Sequence, residues 1–407
     1  MNSDIRRVHH IIFLASVFCF WLATYSYVPI FSLYLESIPF SYGSIGIILG
    51  SYGVTQVLLR FPLGVLLDKL ATLRKHFYVG GFVVAIVSGF ILLFSSSFIW
   101  ILTGRLLAGV TAAMWVMATI MYAEYFQSNH TSKAMGLLQF STVMPQFLSM
   151  LTAGLLVEWM GFALPFWAGI VAASVGLLLA LSIKVVPSHM ETRQRLSIVS
   201  IIRSTVTMRS LLPITLVSLF AHALLFISIF GFTPVYAGSQ GIGEGAMVWI
   251  MTAFFVPHAA ASIFIALINL PPTLEQLLMI SILMVTTITF LFLPLATGIL
   301  SISLLHAIIG LTIGILLPLL LSQIASLPPA SLKTSVMGFY QSVYAIGIFI
   351  GPYLAGFAAE QFGLKHVFTL AAIISFIALA IAVLTRLREG QRQMTDDASK
   401  NKKLNHL

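Results

Sequence analysis

Charge is what this chain has least of. Only 8% of its 407 residues are Asp, Glu, Lys or Arg, while 59% are hydrophobic. So little polar surface excludes a soluble globular domain of this size. Acids are scarcer still, twelve in all, and none falls at the middle of a long apolar run. Cysteine is nearly absent: the single Cys19 excludes a disulfide framework and reads as a small core residue. No phosphate-binding Gly-rich loop, zinc-ligand spacing or nucleophile motif occurs. The chain is therefore expected to be no enzyme and to use no cofactor or metal. A net charge of +9 does not point to nucleic acid either, because the basic residues are scattered through short loops between apolar runs.

What fills the chain is a series of twelve apolar runs, at 10–36, 42–67, 77–95, 98–124, 134–158, 162–186, 211–237, 244–270, 275–296, 298–324, 335–359 and 363–385. Each is near the ~20 residues needed to cross a ~30 Å hydrocarbon core. The first run follows a basic start, "MNSDIRR", and is too long for a signal-peptide core, so it reads as span 1. Lys and Arg then set the orientation. With the N-terminus in the cytoplasm, 18 of the 21 basic residues fall in the tails and even-numbered loops. Lys365 alone falls outside, and Arg60 and Arg105 lie within spans. The prediction is an all-α membrane protein of twelve spans in a cell inner (cytoplasmic) membrane, with both termini cytoplasmic. Residues 1–183 would form one six-helix half, 184–210 a cytoplasmic linker, 211–386 a second half and 387–407 a cytoplasmic tail. That tail is polar and mixed in charge, and is expected to be unstructured.

The two halves repeat. Offset by 202, "MGLLQFSTVMPQFLSMLTAGLLVEWMGFALPF" (135–166) lies on "MGFYQSVYAIGIFIGPYLAGFAAEQFGLKHVF" (337–368), matching Gln139 with Gln341, Gly154 with Gly356 and Glu158 with Glu360. Offset by 201, Arg105-x-x-x-Gly109 lies on His306-x-x-x-Gly310. Offset by 205, "YSYVPIF" (25–31) lies on "FGFTPVY" (230–236), proline on proline. Two repeated six-helix bundles are the plan of a transporter whose site lies between them.

The chain resembles the major facilitator superfamily over about residues 10–385. Gly64-x-x-x-Asp68-Lys69, followed by Arg74 and Lys75, is similar to the family's loop 2–3 signature. Arg105-x-x-x-Gly109 is similar to its membrane-arginine motif, and Gly347-x-x-x-Gly351-Pro352-x-x-x-Gly356 to its glycine–proline helix-packing motif. Ala71 and Thr72 stand where the signature usually has glycine and arginine. Span 5 carries Pro145 and Ser149 where drug–proton antiporters have the glycine–proline motif. The resemblance implies alternating access, and a latch in which Asp68 holds the start of span 11 so as to shut the cytoplasmic side. Lys69, Arg74 and Lys75 are either parts of that gate or ordinary cytoplasmic basic residues. By family frequency, the resemblance favours export of a metabolite or drug. Proton-coupled uptake of an organic anion is the alternative, and a membrane sensor or lipid-handling protein the third reading.

Several intramembrane polar residues are candidates for contact with substrate or protons. Arg60 and Arg105 are costly in hydrocarbon, so each either bonds neighbouring helices or meets an anionic substrate. His222, His258 and His306 can carry protons. Gln139, Gln341, Tyr25 and Tyr340 complete the set. Arg105 and His306, being repeat partners, are expected to face one another across the substrate. Without a midplane acid, the cavity should be neutral or positive and suit an anionic or zwitterionic solute. The expected partners are a small molecule, the lipid bilayer and protons as a candidate co-substrate. The working unit is expected to be a monomer.

Overall fold

The computed structural model describes residues 6–66, 71–126, 131–186, 197–208, 211–268, 270–327 and 332–404. Every regular element among them is helical. Twelve helices are long and apolar enough to cross a membrane, and they follow the twelve apolar runs. They are α1 (Arg7–Ser37), α2 (Tyr42–Leu66), α3 (Arg74–Phe94), α4 (Phe98–Tyr122), α5 (Thr131–Met160), α6 (Ala163–Leu181), α7 (Leu211–Ser239), α8 (Glu244–Ile265), α9 (Pro272–Phe292), α10 (Gly298–Ser326), α11 (Lys333–Phe362) and α12 (Lys365–Leu404). The face bearing the chain ends is the terminal face here, and the opposite one the far face. A backbone in hydrocarbon must bond to itself, which is why every span is a helix.

Two features differ from the linear reading. The tail does not leave the last helix: α12 runs on to Leu404. The stretch after Arg386 contains no proline, so adding turns to a helix already formed avoids the cost of nucleation. The linker between α6 and α7 also contains a short helix, Ile198–Val206, whose first turn is capped by the Ser197 side chain accepting from the Ser200 N–H.

The repeat read from sequence reappears in the structure. Helix α1 breaks into a 3-10 turn at Val28–Ile30, beside Pro29. Its partner α7 loosens into a π-turn at Ser228–Phe232, beside Pro234. Proline removes the amide that would close the ladder, so both helices bend at matched depth. Gly161 and Gly363, matched in the repeat, both end their helices at positive φ, 76° and 91°, a conformation that favours glycine. A third match is in packing. Gly109 on α4 lies against the Tyr52 carbonyl on α2, and Gly310 on α10 lies against the Phe254 carbonyl on α8. No side chain fits at either point, so the backbones touch.

Between the halves, α2 and α11 run against each other. Gly46, Gly50 and Gly53 share one face of α2. A Cβ on any of them would run into α11 carbonyls, of Pro352, Phe349 and Ala345 in turn. The far ends of α1 and α7 also meet, with Gly238 beside the Leu33 side chain. At the far end of α5, Gly154 lies against the Glu244 carbonyl of α8. These contacts close the far face.

If Gly310 is there to let α8 approach, Gly310→Val should lower the thermal midpoint of the purified protein by several degrees, since overpacking costs about 1–3 kcal/mol. Gly80 is the control, because a Cβ added there would meet nothing within 4 Å. Gly80→Val should leave the midpoint in place. Equal shifts at both positions would contradict the packing account.

Candidate functional site

Arg60 stands on α2 between the halves and is 4% exposed. Its Nη1 donates to the Tyr344 hydroxyl on α11 at 2.8 Å. The Tyr344 ring lies flat on the His222 imidazole of α7, with centroids 3.9 Å apart and planes 6° from parallel. One turn away on α11, Tyr340 meets Tyr344 edge-on at 5.4 Å. Its hydroxyl accepts from Ser218 at 2.8 Å. The His222 Nδ1 lies 2.8 Å from the Ser218 carbonyl and so carries the proton. The spacing explains the cluster. Residues 218 and 222, and likewise 340 and 344, are one turn apart on facing helices. Gly347 lies against the Leu219 carbonyl and Gly351 against Ala223, which draws α11 close enough to α7 for the rings to stack.

Arg60 has no acid beside it among the described residues. The ion pair found there joins Arg74 to Glu124, inside the first half and away from this cluster. Among the described residues the Arg60 Nε is buried without a hydrogen-bond partner, as are the Gln341 Oε1 on α11 and, inside the first half, the Arg105 Nε. A buried guanidinium without a counter-charge is expensive unless a ligand supplies one.

Arg105 is placed differently. It is 1% exposed, inside the first half. Its Nη1 donates to the Tyr27 hydroxyl at 3.1 Å. The guanidinium sits over the Tyr52 ring at 4.4 Å and near Phe31 at 5.3 Å, a cation held by aromatic faces. Its repeat partner His306 is fully buried in the second half. His306 Nε2 meets the Thr233 hydroxyl at 2.9 Å, and its Nδ1 meets the Ile302 carbonyl at 2.8 Å. Arg105 and His306 therefore do not face one another. Each turns into its own half and ties the break in α1 or α7, where polar groups need partners in a dry interior. Tyr25 packs between Trp21, at 5.8 Å, and Phe230 of the other half. His258 stacks on Phe254, with ring centroids 5.5 Å apart. The Gln139 side chain lies outside the described ones.

Of the signature residues, Asp68 and Lys69 fall outside the described residues, and Gly64 lies near the terminal end of α2. Arg74 bonds Glu124 at 2.5 Å. Lys75 donates to the Leu181 and Ile183 carbonyls, each at 2.8 Å, at the end of α6, where a cation suits the helix dipole. Both bind α3 to neighbours within the first half. Sequence reasoning did not pick out Ser218, Tyr27 or Tyr52 as partners. A signal for Ser218 was available, because it lies one turn before His222.

Glu124 lies just past the terminal end of α4. Burial pushes its carboxyl up, and the Arg74 guanidinium draws it back only in part. A raised acid favours its protonated form in the fold. Its stabilising effect is therefore present below the ordinary value of 4.5 and is lost as pH rises through the higher folded value. Glu124→Gln should flatten that fall in melting temperature between about pH 4 and pH 8. An unchanged slope would show that Glu124 is not its source.

Comparison with known proteins agrees with this architecture. The family model described as Major Facilitator Superfamily matches residues 13–352, and again 249–405. The chain is 25% identical over 344 residues to the inner membrane transport protein YajR of Escherichia coli (strain K12), covering 83% of this chain and 74% of that one. Among solved structures, it superposes on a bacterial homologue of the human lysosomal transporter Spinster, in an inward-facing and occupied conformation, with a TM-score of 0.73 at 13% identity, covering 94% and 97% of the two chains. It superposes on a point mutant of the nucleoside transporter NupG with a TM-score of 0.72 at 14% identity, covering 93% and 99%. Twelve helices in two repeated halves and a family match along almost the whole sequence lead to one conclusion: the chain belongs to the major facilitator superfamily and is a multi-pass membrane transporter.

Proposed function

We propose that this protein is a secondary transporter of a small organic anion, working by alternating access at the contact of α2, α7 and α11. The observation that carries the reading is Arg60: a guanidinium between the halves, buried, bonded to Tyr344 and without an acid partner among the described residues. A carboxylate on the solute would supply the missing charge and meet the unpartnered Nε. The scarcity of intramembrane acids argues in the same direction, since a cationic drug would find nothing to neutralise it. Arg105, held by Tyr27 and Tyr52, is assigned to structure rather than to the solute.

His222 is the histidine that touches this cluster, through its stack on Tyr344, and is our choice for proton linkage. The closed far face supports a state in which solute is exchanged through the terminal face. We place that face in the cytoplasm, on the distribution of Lys and Arg, and the protein in an inner membrane, working as a monomer. Export, which family frequency favours, and proton-coupled uptake of an anion share this site. The direction of flux in oriented vesicles distinguishes them.

Purified protein in proteoliposomes of known orientation would be screened for flux of labelled mono- and dicarboxylates. Arg60→Gln should weaken binding of the transported anion at least about tenfold, or 1.4 kcal/mol. Arg60→Lys should recover only part of it, because a point charge lacks the planar fork. His222→Gln should flatten the pH dependence of transport, whereas His306→Gln should leave its shape intact and lower stability. A permanent cation carried equally well by wild type and Arg60→Gln protein would overturn the anion reading.

A further inference from the structure

The far face is shut at two crossings that correspond residue by residue. At one, Gly356 on α11 lies against the Tyr42 carbonyl, and Glu360, one turn further on, accepts a hydrogen bond from the Gly43 N–H in the first turn of α2, at 2.7 Å. At the other, Gly154 on α5 lies against the Glu244 carbonyl, and Glu158, one turn further on, has its carboxylate against Gly245 at the start of α8. Adding 202 to Tyr42, Gly43, Gly154 and Glu158 gives Glu244, Gly245, Gly356 and Glu360. All four members of one crossing are thus repeat partners of the four in the other, with the roles of the halves exchanged.

The chemistry at each crossing is the same. The first glycine lets two helices touch backbone to backbone. The glutamate four residues later projects from the same helix face and so reaches the first turn of the helix being crossed. That turn has unpaired amides and the positive end of the helix dipole. The receiving residue is also glycine. A Cβ on Gly43 or Gly245 would occupy the place of the glutamate carboxylate. In each crossing, the glutamate and the helix start it meets belong to different halves, so separation of the halves on this face breaks both contacts. Both glutamates are exposed, so opening returns each carboxylate to water at little cost. A further acid, Glu36, accepts from the Tyr42 hydroxyl at 2.9 Å beside the first crossing. Glu244 lies in the first turn at the second, and Lys365 and His366 follow Glu360 at the start of α12.

We infer that Gly154-x-x-x-Glu158 and Gly356-x-x-x-Glu360 are a matched pair of latches that hold the far face closed by setting a carboxylate on the first turn of a helix in the opposite half. Glu158 and Glu360 are positioning residues: they set how often the far face opens and do not touch solute. The inference rests on the alternation between two closures proposed above. Of the two, Glu360 is the stronger, because it makes a hydrogen bond.

The test is a distance measurement that needs no solute. On a Cys19→Ser background, Ile99→Cys and Leu300→Cys place spin labels at the far-face starts of α4 and α10, at sites 70% and 71% exposed. Pulsed electron resonance in lipid nanodiscs then reads closed and open populations as short and long distances. Glu360→Gln should raise the ratio of open to closed by about two- to fivefold, and Glu158→Gln by less. The double variant should multiply the two effects. Glu→Lys at either site, setting a cation on the positive end of a helix, should exceed the matching Gln. Glutamine is isosteric, so a role in packing alone would leave the ratio unmoved. Two populations that stay in the same ratio through the Gln and Lys variants would overturn the latch and leave alternation standing. A single unmoved distance in every variant would overturn both.

Discussion

The bundle depends on how closely α2 and α11 approach. Three glycines on one face of α2 let its backbone rest on the carbonyls of α11, and nothing larger than hydrogen fits between. In lipid there is no hydrophobic drive between helices, so such contact, summed over many atoms, is what holds one half to the other. The same crossing carries chemistry along its length. Toward the terminal face it brings Arg60 to Tyr344, and at the far end it brings Glu360 to Gly43. A shift of one helix along the other would therefore be felt at both places.

The scarce charges divide by what their neighbours offer. Arg105 is held inside one half, by a phenol and two ring faces, although its Nε, like that of Arg60, has no hydrogen-bond partner among the described residues. Arg74 and Lys75 are satisfied at the terminal edge of the first half, by Glu124 and the last carbonyls of α6. Arg60 finds its phenol, Tyr344, in the other half. That difference in partners, rather than depth in the membrane, separates a structural arginine from one available to a solute.

Pseudo-symmetry makes some of these roles readable twice. Arg105 and His306 differ chemically, yet each holds the break in the first helix of its half. Gly109 and Gly310 each admit a neighbouring backbone, and the two far-face crossings exchange halves residue for residue. Where the repeat fails is equally informative. Arg60 has Ser262 at the matching place in α8, bonded to the Gly314 carbonyl, so the positive charge of the cluster comes from one half alone.

Composition and periodicity by themselves determined the class, the twelve spans and the repeat that pairs Pro29 with Pro234, because a hydrocarbon solvent dictates helix length and leaves few alternatives. They also singled out Arg60, Arg105, His222 and Tyr340, since polar groups stand out in an apolar run. What they could not determine was pairing. Arg105 and His306 were expected to face one another, yet each turns inward, because side-chain direction depends on which neighbour the helix rotates toward. Glu158 and Glu360 were visible in the sequence as repeat partners at helix ends, but the helix starts they meet lie 87 and 317 positions away along the chain. The contact of Arg60 with Tyr344 and the carboxylate contacts of the far face are properties of packing between halves. Only the tertiary structure decides them, because the sequence records which groups need partners and the packing decides which ones they find.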